Sequence, residues 1–291
     1  MNSAILPPSE IDRWIFTVSP GRSGQGTLAS FLAAHVEGAY VAFEEPQIRP
    51  FSPGALGDIE RHFRRRFIET DELLGRGRVL RADAEGNHAY IDRIVAQRMR
   101  TIGRQAQRTR AHIYIDVNSR FVRGLCWGFT RAVPRFSLIR LLRDPVLVMR
   151  SYLNRSKNFA REHVSPGAPN NLLRLDPADF AAGEFYLWAW CESYLRCERL
   201  AALPGADKAV DLRTEALNDA VAMNRFMDDL GVPHRLAQIL APSNTNLGQG
   251  YGATNVSKAD LRLFERFLGR LTPAIRGQLR YLDHYQPPVI G

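Results

Sequence analysis

Cysteine is scarce in this 291-residue sequence. Cys126, Cys191 and Cys197 are too few and too unevenly placed for a disulfide framework, and they lack the close pairing of a zinc site. Apolar runs are short throughout, and Met1 to Asp12 contains no signal-peptide core, so the chain is expected to be cytoplasmic, with no transmembrane segment. No Pro/Gly/Ser-rich linker, low-complexity tract or internal repeat divides it. A single domain over 1–291 is therefore expected, long enough to bury a sizeable core. Lysine is nearly missing: only Lys157, Lys208 and Lys258 accompany the arginines among 39 basic residues.

What is present is an ordinary globular composition, 45% hydrophobic and 24% charged, carrying a formal charge of +9. That excess favours polyanionic ligands: nucleic acid, anionic lipid or a multiply phosphorylated cofactor. Because the charge is almost all guanidinium, with planar, bidentate donors, it suits phosphate and sulfate in particular.

Hydrophobic periodicity predicts strands at 14–18, 39–43, 112–117, 136–142 and about 208–213. It predicts helices at about 27–36, 58–69, 88–109, 146–158, 178–202, 215–230, 257–270 and 273–281. Strands alternating with helices imply an α/β fold, a mainly parallel sheet of four to five strands flanked by helices. Residues 164–177, with three prolines, read as a mobile loop.

Ser19-Pro-Gly-Arg-Ser-Gly-Gln-Gly-Thr27 lies where the first strand hands over to a helix. Glycines there let successive N–H groups turn inward, and the helix N-terminus adds partial positive charge, so the segment is suited to cradle an anion. Gly21 and Gly26 reproduce the glycine spacing of GxxxxGK[ST], but the lysine is absent and Thr27 follows Gly26 directly. Arg22 supplies a cation from inside the loop instead.

These residues resemble the phosphosulfate loop of the sulfotransferases that use 3′-phosphoadenosine 5′-phosphosulfate, with Arg22, Ser23 and Gly24 matching its Arg/Lys-Ser-Gly run. Gln25 and Gly26 depart from the usual pair of hydroxyl residues, and Thr27 looks like the displaced hydroxyl. The resemblance implies a P-loop-like fold and a donor site made by Gly21, Arg22, Ser23, Gly24, Gln25, Gly26 and Thr27. The family's 3′-phosphate site is similar to Arg143-Asp-Pro145 followed by Ser151. The physics agrees: Arg143 leaves the C-terminal end of a strand, and Ser151 lies about two turns along a helix that Asp144 caps and Pro145 begins. Val210 to Leu217 resembles the family's Arg-Tyr-Glu-Asp-Leu strand, with Thr214 in place of tyrosine. The Arg-Lys-Gly run that closes the nucleotide site in cytosolic animal members is missing, and 244–258 is the expected substitute.

Sulfuryl transfer to a hydroxyl or amine needs a base. Several branches of the family place a glutamate at the end of the second strand, which selects Glu45 of Phe43-Glu-Glu-Pro46, then Glu44; Asp116 is the alternative on the third strand. The Arg-rich stretch 61–66 reads as a solvated helix face or as a surface that recruits an acidic acceptor. The resemblance implies no metal, no nucleic-acid partner, and a small-molecule or glycan acceptor. Two other readings compete. A P-loop kinase would need a magnesium site, for which neither a lysine nor an acidic pair is evident. A basic nucleic-acid binder would account for the charge but not for two anion sites in family order.

Overall fold

The computed structural model describes residues 7–43, 54–63, 72–73, 75–156, 158–237 and 255–282. In chain order, the strands are β1 (Arg13–Val18), β2 (Ala39–Phe43), β3 (Ile113–Val117), β4 (Phe136–Leu142) and β5 (Ala206–Arg213). The helices are α1 (Gln25–His35), α2 (Ala55–Phe63), α3 (Arg78–Ala84), α4 (His88–Thr109), α5 (Leu125–Ala132), α6 (Pro145–Leu153), α7 (Phe159–Glu162), α8 (Ala182–Ala201), α9 (Ala220–Leu230), α10 (Lys258–Gly269) and α11 (Pro273–Gln278). All strand pairs are parallel, in the order β2-β3-β1-β4-β5.

The two sheet faces follow from side-chain alternation. Trp14, Phe16, Tyr114 and Phe136 point to one side, where Phe16 stacks on Phe121 at 4.4 Å and lies 5.1 Å from Phe129. Ile15, Ile113, Ile115, Ile139 and Leu141 point to the other, onto Leu28 and Leu32 of α1 and Met223 and Met227 of α9. One face is thus aromatic and covered mainly by α4 and α5, and the other is aliphatic and covered by α1 and α9. A third cluster packs α6 against α8 and α10.

This order places β1 between β3 and β4, although the chain runs from β1 to the edge strand β2 before returning. Such a reversal opens a crevice at the carboxyl ends of the strands, where open α/β sheets bind ligands. Both β1 and β4 end there, so the two segments singled out in the sequence emerge side by side.

Several boundaries differ from expectation. Helix α1 begins at Gln25, so Gln25 and Gly26 belong to its first turn, not to the loop. Helix α6 stops at Leu153, α3 and α5 are additional, and residues 214–218 form a 3-10 turn before α9. His112, expected as a packed strand residue, is exposed and precedes β3.

Candidate active site

The turn after β1 is built from residues in unusual backbone conformations. Gly21, Arg22 and Gly24 have φ values of 91°, 60° and 85°. The left-handed region is open to glycine but costs other residues about 1 kcal/mol or more, so Arg22 is held there by its surroundings. Space excludes side chains as well. A Cβ on Gly21 would meet Tyr152 Oη at 2.2 Å, and one on Gly24 would meet Leu217 Cδ1 at 2.6 Å.

Four consecutive carbonyls of this turn are engaged, three of them by side chains from outside it. Pro20 O accepts from Arg123 Nη2 at 2.9 Å and Tyr152 Oη at 2.8 Å, and Gly21 O accepts from Ser23 Oγ at 3.1 Å. Arg22 O accepts from Arg143 Nη1, and Thr214 Oγ1 lies 3.0 Å from Ser23 O and from Leu142 O, donating to one of them at a time. With these carbonyls engaged, the capacity of the turn to hold an anion rests on its N–H groups. Those of Gln25 to Thr27 precede the first helical bond, Leu28 N to Gly24 O at 3.0 Å, and so lack intrahelical acceptors. Two N–H groups of the turn are used within it, since Gly21 N donates to Ser19 Oγ at 3.0 Å and Ser23 N to Gln25 Oε1 at 3.2 Å.

The second segment meets the first directly. Arg22 Nε donates to Ser151 Oγ at 3.2 Å across 129 residues of sequence, while Arg143 grips the Arg22 carbonyl. Asp144 Oδ1 accepts from Leu147 N at 2.8 Å, capping α6 as its sequence implies. Trp190 Nε1 donates to Arg143 O at 2.9 Å, so a core tryptophan fixes the strand end that carries Arg143. Burial holds the Arg143 guanidinium below its ordinary pKa, and neither Glu215 nor Asp144 offsets it fully. No ion-pair partner holds Arg143 among the described residues. Gln25 Nε2 is buried at the same turn without a hydrogen-bond partner among the described residues. An under-compensated cation and an orphan donor, beside the N-terminus of α1, fit an anionic ligand.

Gly21, Arg22, Ser23, Gly24, Gln25, Gly26, Thr27, Arg143 and Ser151 therefore gather in one place. Gly26 needs no glycine for space, since its Cβ would lie an ordinary 3.6 Å from Phe43 Cζ. That contact matters for another reason. Strand β2 is separated from β1 by β3, yet Phe43, its last residue, lies close enough to the first turn of α1 that a Cβ on Gly26 would contact it. Glu44 and Glu45 follow immediately and lie outside the described residues. So do 244–254 of the expected nucleotide clamp and 64–66 of the Arg-rich stretch. Asp116 is fully buried on the aromatic face, ion-paired to Arg98 at 3.0 Å and away from the turn after β1.

Arg123 and Tyr152, which clamp Pro20, were not legible as site residues. Tyr152 is adjacent to Ser151, and only the tertiary meeting of α6 with the turn reveals it. Arg123 Nη1 also donates to Glu162 O at 2.8 Å, and Glu162 Oε2 accepts from Arg120 Nη2 at 3.1 Å. Burial alone would raise the Glu162 pKa, but Arg120, Arg123 and Arg76 outweigh it and keep the carboxyl below its ordinary value.

Among solved structures, the protein is similar to the sulfotransferase domain of the Synechococcus PCC 7002 olefin synthase. The TM-score is 0.50 at 18% identity, covering 99% of this chain and 98% of that one. The chain has the sulfotransferase fold. The sulfotransferase domain of the curacin biosynthetic pathway also matches, with a TM-score of 0.49 at 15% identity over 98% of this chain and 100% of that one. No protein-family model matches the sequence, and no curated protein matches it. At these identities the likeness is one of fold, so activity has to be argued from the site. Within the sulfotransferase fold seen here, Cys126, Cys191 and Cys197 are buried free thiols. No helix among the described residues is long and apolar enough to cross a membrane.

Proposed function

We propose that this chain is a sulfotransferase that moves the sulfuryl group of 3′-phosphoadenosine 5′-phosphosulfate to a hydroxyl or amine of a small-molecule or glycan acceptor. The observation that carries the reading is the direct contact of Arg22 with Ser151 and Arg143, which joins two anion-binding segments into one site. A nucleotide bearing phosphates at both its 5′ and 3′ ends matches two such segments better than a linear triphosphate does.

Such a donor supplies an activated sulfuryl group when bound. The turn 21–27 holds its 5′ end through backbone N–H groups and the N-terminal dipole of α1. Arg143 and Ser151 hold the 3′-phosphate. Arg22, bonded to Ser151 and kept in a left-handed conformation, places positive charge at the boundary between the two, where it counters negative charge developing on the leaving oxygen. Glu45, two residues beyond β2, takes the acceptor proton, with Glu44 as the second choice.

Transfer of radiolabelled sulfate from the donor to a panel of hydroxylated and amino acceptors, without added metal, tests the reading. Arg22→Ala should lower turnover more than donor affinity, and Glu45→Gln should lower turnover by about 10²–10⁴-fold while preserving donor binding. Normal turnover in Glu45→Gln with a large loss in Glu44→Gln would exchange the two glutamates. Tight binding of ATP and none of adenosine 3′,5′-bisphosphate would replace the reading with a nucleotide phosphotransferase.

A further inference from the structure

Between the donor turn and helix α8 the core encloses a small cavity of about 20 Å³. Its polar wall is made by Asp83, Arg123, His163, Glu192, Ser193 and Arg196, none of them more than 7% exposed, so the space belongs to the interior. One water needs roughly 10–15 Å³ of such volume. The cavity therefore has room for a single water and for nothing larger.

Two of the wall residues carry a nitrogen that meets nothing. Arg123 Nε and His163 Nε2 are both buried without a hydrogen-bond partner among the described residues. The remaining polar groups of the wall are engaged with one another or with the backbone. Arg196 lies 2.6 Å from both Asp83 and Glu192, and Ser193 Oγ donates to Ala189 O at 2.7 Å. Buried polar atoms are nearly always partnered, and two orphans on one cavity wall require an occupant.

The wall also selects the chemistry of that occupant. An anion would sit against the carboxylates of Asp83 and Glu192, and a cation against the guanidinium groups of Arg123 and Arg196. What fits is a small neutral molecule that both accepts and donates. Water accepts from Arg123 Nε, and it can donate to His163 Nε2 or accept from it, whichever ring nitrogen carries the proton. Glu192 and Ser193 offer further acceptors on the same wall, within the two to four partners typical of an internal water.

The cavity backs directly onto the donor turn. Arg123 donates through Nη2 to Pro20 O at 2.9 Å and through Nη1 to Glu162 O at 2.8 Å, so Nε is the one nitrogen of its guanidinium left to be held. Tyr152, whose hydroxyl also donates to Pro20 O, packs edge-on against His163 with ring centroids 6.2 Å apart. Both side chains that grip Pro20 thus rest on this cavity or on its wall.

We propose that the cavity binds one water molecule bridging Arg123 Nε and His163 Nε2, and that this water makes Arg123 a positioning residue for the donor turn. The hydration site stands on the cavity and the two nitrogens alone, while its effect on the donor rests on the sulfotransferase reading. A high-resolution crystal structure of the full-length protein with adenosine 3′,5′-bisphosphate tests the site. Electron density for one water is expected within hydrogen-bonding distance of both nitrogens. No density there, or either nitrogen bonded to a protein group instead, would overturn the inference.

The positioning role is tested by titrating the bisphosphate calorimetrically against three variants. Ala189 lines the cavity, and Ala189→Val and Ala189→Thr add side chains of the same shape that displace the water, of which only threonine returns a hydroxyl. Ala189→Val should weaken the bisphosphate about tenfold, because Arg123 Nε is left unmet, and Ala189→Thr should recover most of that loss. Arg123→Lys keeps the charge but has one nitrogen for three contacts, and should weaken the bisphosphate by about tenfold as well. Equal affinities in the valine and threonine variants, or unchanged affinity in Arg123→Lys, would overturn the positioning role. If neither Ala189 variant folds, Arg123→Lys decides it. Failure of the bisphosphate to bind the wild type would instead remove the donor reading, and the density of the ligand-free protein would still decide the hydration site.

Discussion

Two arginines sit against the same sheet in opposite electrostatic circumstances. Arg98 on α4 is 1% exposed and meets Asp116 of β3 at 3.0 Å; burial alone would lower its pKa, but Asp116 outweighs that and the net shift is upward. Arg143, at the end of β4, is also partly withdrawn from water, yet its net shift is downward because its neighbours do not compensate the burial. Arg196 repeats the first pattern, held by both Asp83 and Glu192 at 2.6 Å. A guanidinium that meets a carboxylate within the core is a packing element. One buried at the mouth of a crevice without such a partner retains its capacity to bind an anion.

The comparison is broken most severely by removing Asp116. Asp116→Ala leaves Arg98 charged and unpaired inside the aromatic cluster, and should cost about 3–5 kcal/mol in urea denaturation. Arg98→Met,Asp116→Leu, which removes both charges, should recover much of that loss. Arg143→Ala should behave in the reverse manner, with a loss of about 1.5–3 kcal/mol in affinity for adenosine 3′,5′-bisphosphate and a much smaller effect on unfolding. If Arg143→Ala unfolds the protein as readily as Asp116→Ala, the distinction between the two arginines fails. Ser151→Ala, which removes a neutral donor, should weaken the bisphosphate by about 0.5–1.5 kcal/mol.

His163 gives the smallest test. It too is buried near positive charge, but unlike arginine it can shed its proton. Burial first, then Arg123 and Arg120, push its pKa well below 6.5. The folded state then binds fewer protons than the unfolded state once the pH falls below about 6.5, so stability should drop on the acid side of that value. The slope should approach ~1.4 kcal/mol per pH unit at most, and His163→Phe should flatten it. An unchanged slope in the variant would place the acid sensitivity elsewhere.

Much of this arrangement is legible in the residues themselves. The five strands follow from short apolar runs, and Asp144-Pro145 marks the start of α6 because a carboxylate cap and a proline at the first turn are local requirements. The turn 19–27 could be read because glycine spacing and position between strand and helix are local too. What escaped the sequence depends on distant pieces meeting. Arg123 is one of many arginines until α7 and Pro20 are seen on either side of it. The segment 164–177 reads as mobile from its prolines, yet Asn171 Nδ2 closes it onto Ser165 O at 2.8 Å, and Glu192 of α8 accepts from Leu172 N at 3.1 Å and Leu173 N at 2.7 Å. A buried carboxylate from a helix nearly twenty residues away supplies what local composition cannot show. For Asp116 the strand pattern gives the position but not the arginine opposite it.

The central claim is that Arg143 and the turn after β1 form one site for a nucleotide with phosphates at both ends. Isothermal titration of adenosine 3′,5′-bisphosphate and of adenosine 5′-phosphate, each against the wild-type protein and Arg143→Ala without metal, tests it most directly. The wild type should prefer the bisphosphate by about tenfold or more, and Arg143→Ala should bind the two nucleotides nearly equally, since the 3′-phosphate has lost its charged partner. A preference for the bisphosphate that is absent in the wild type, or that survives in Arg143→Ala, would contradict the claim.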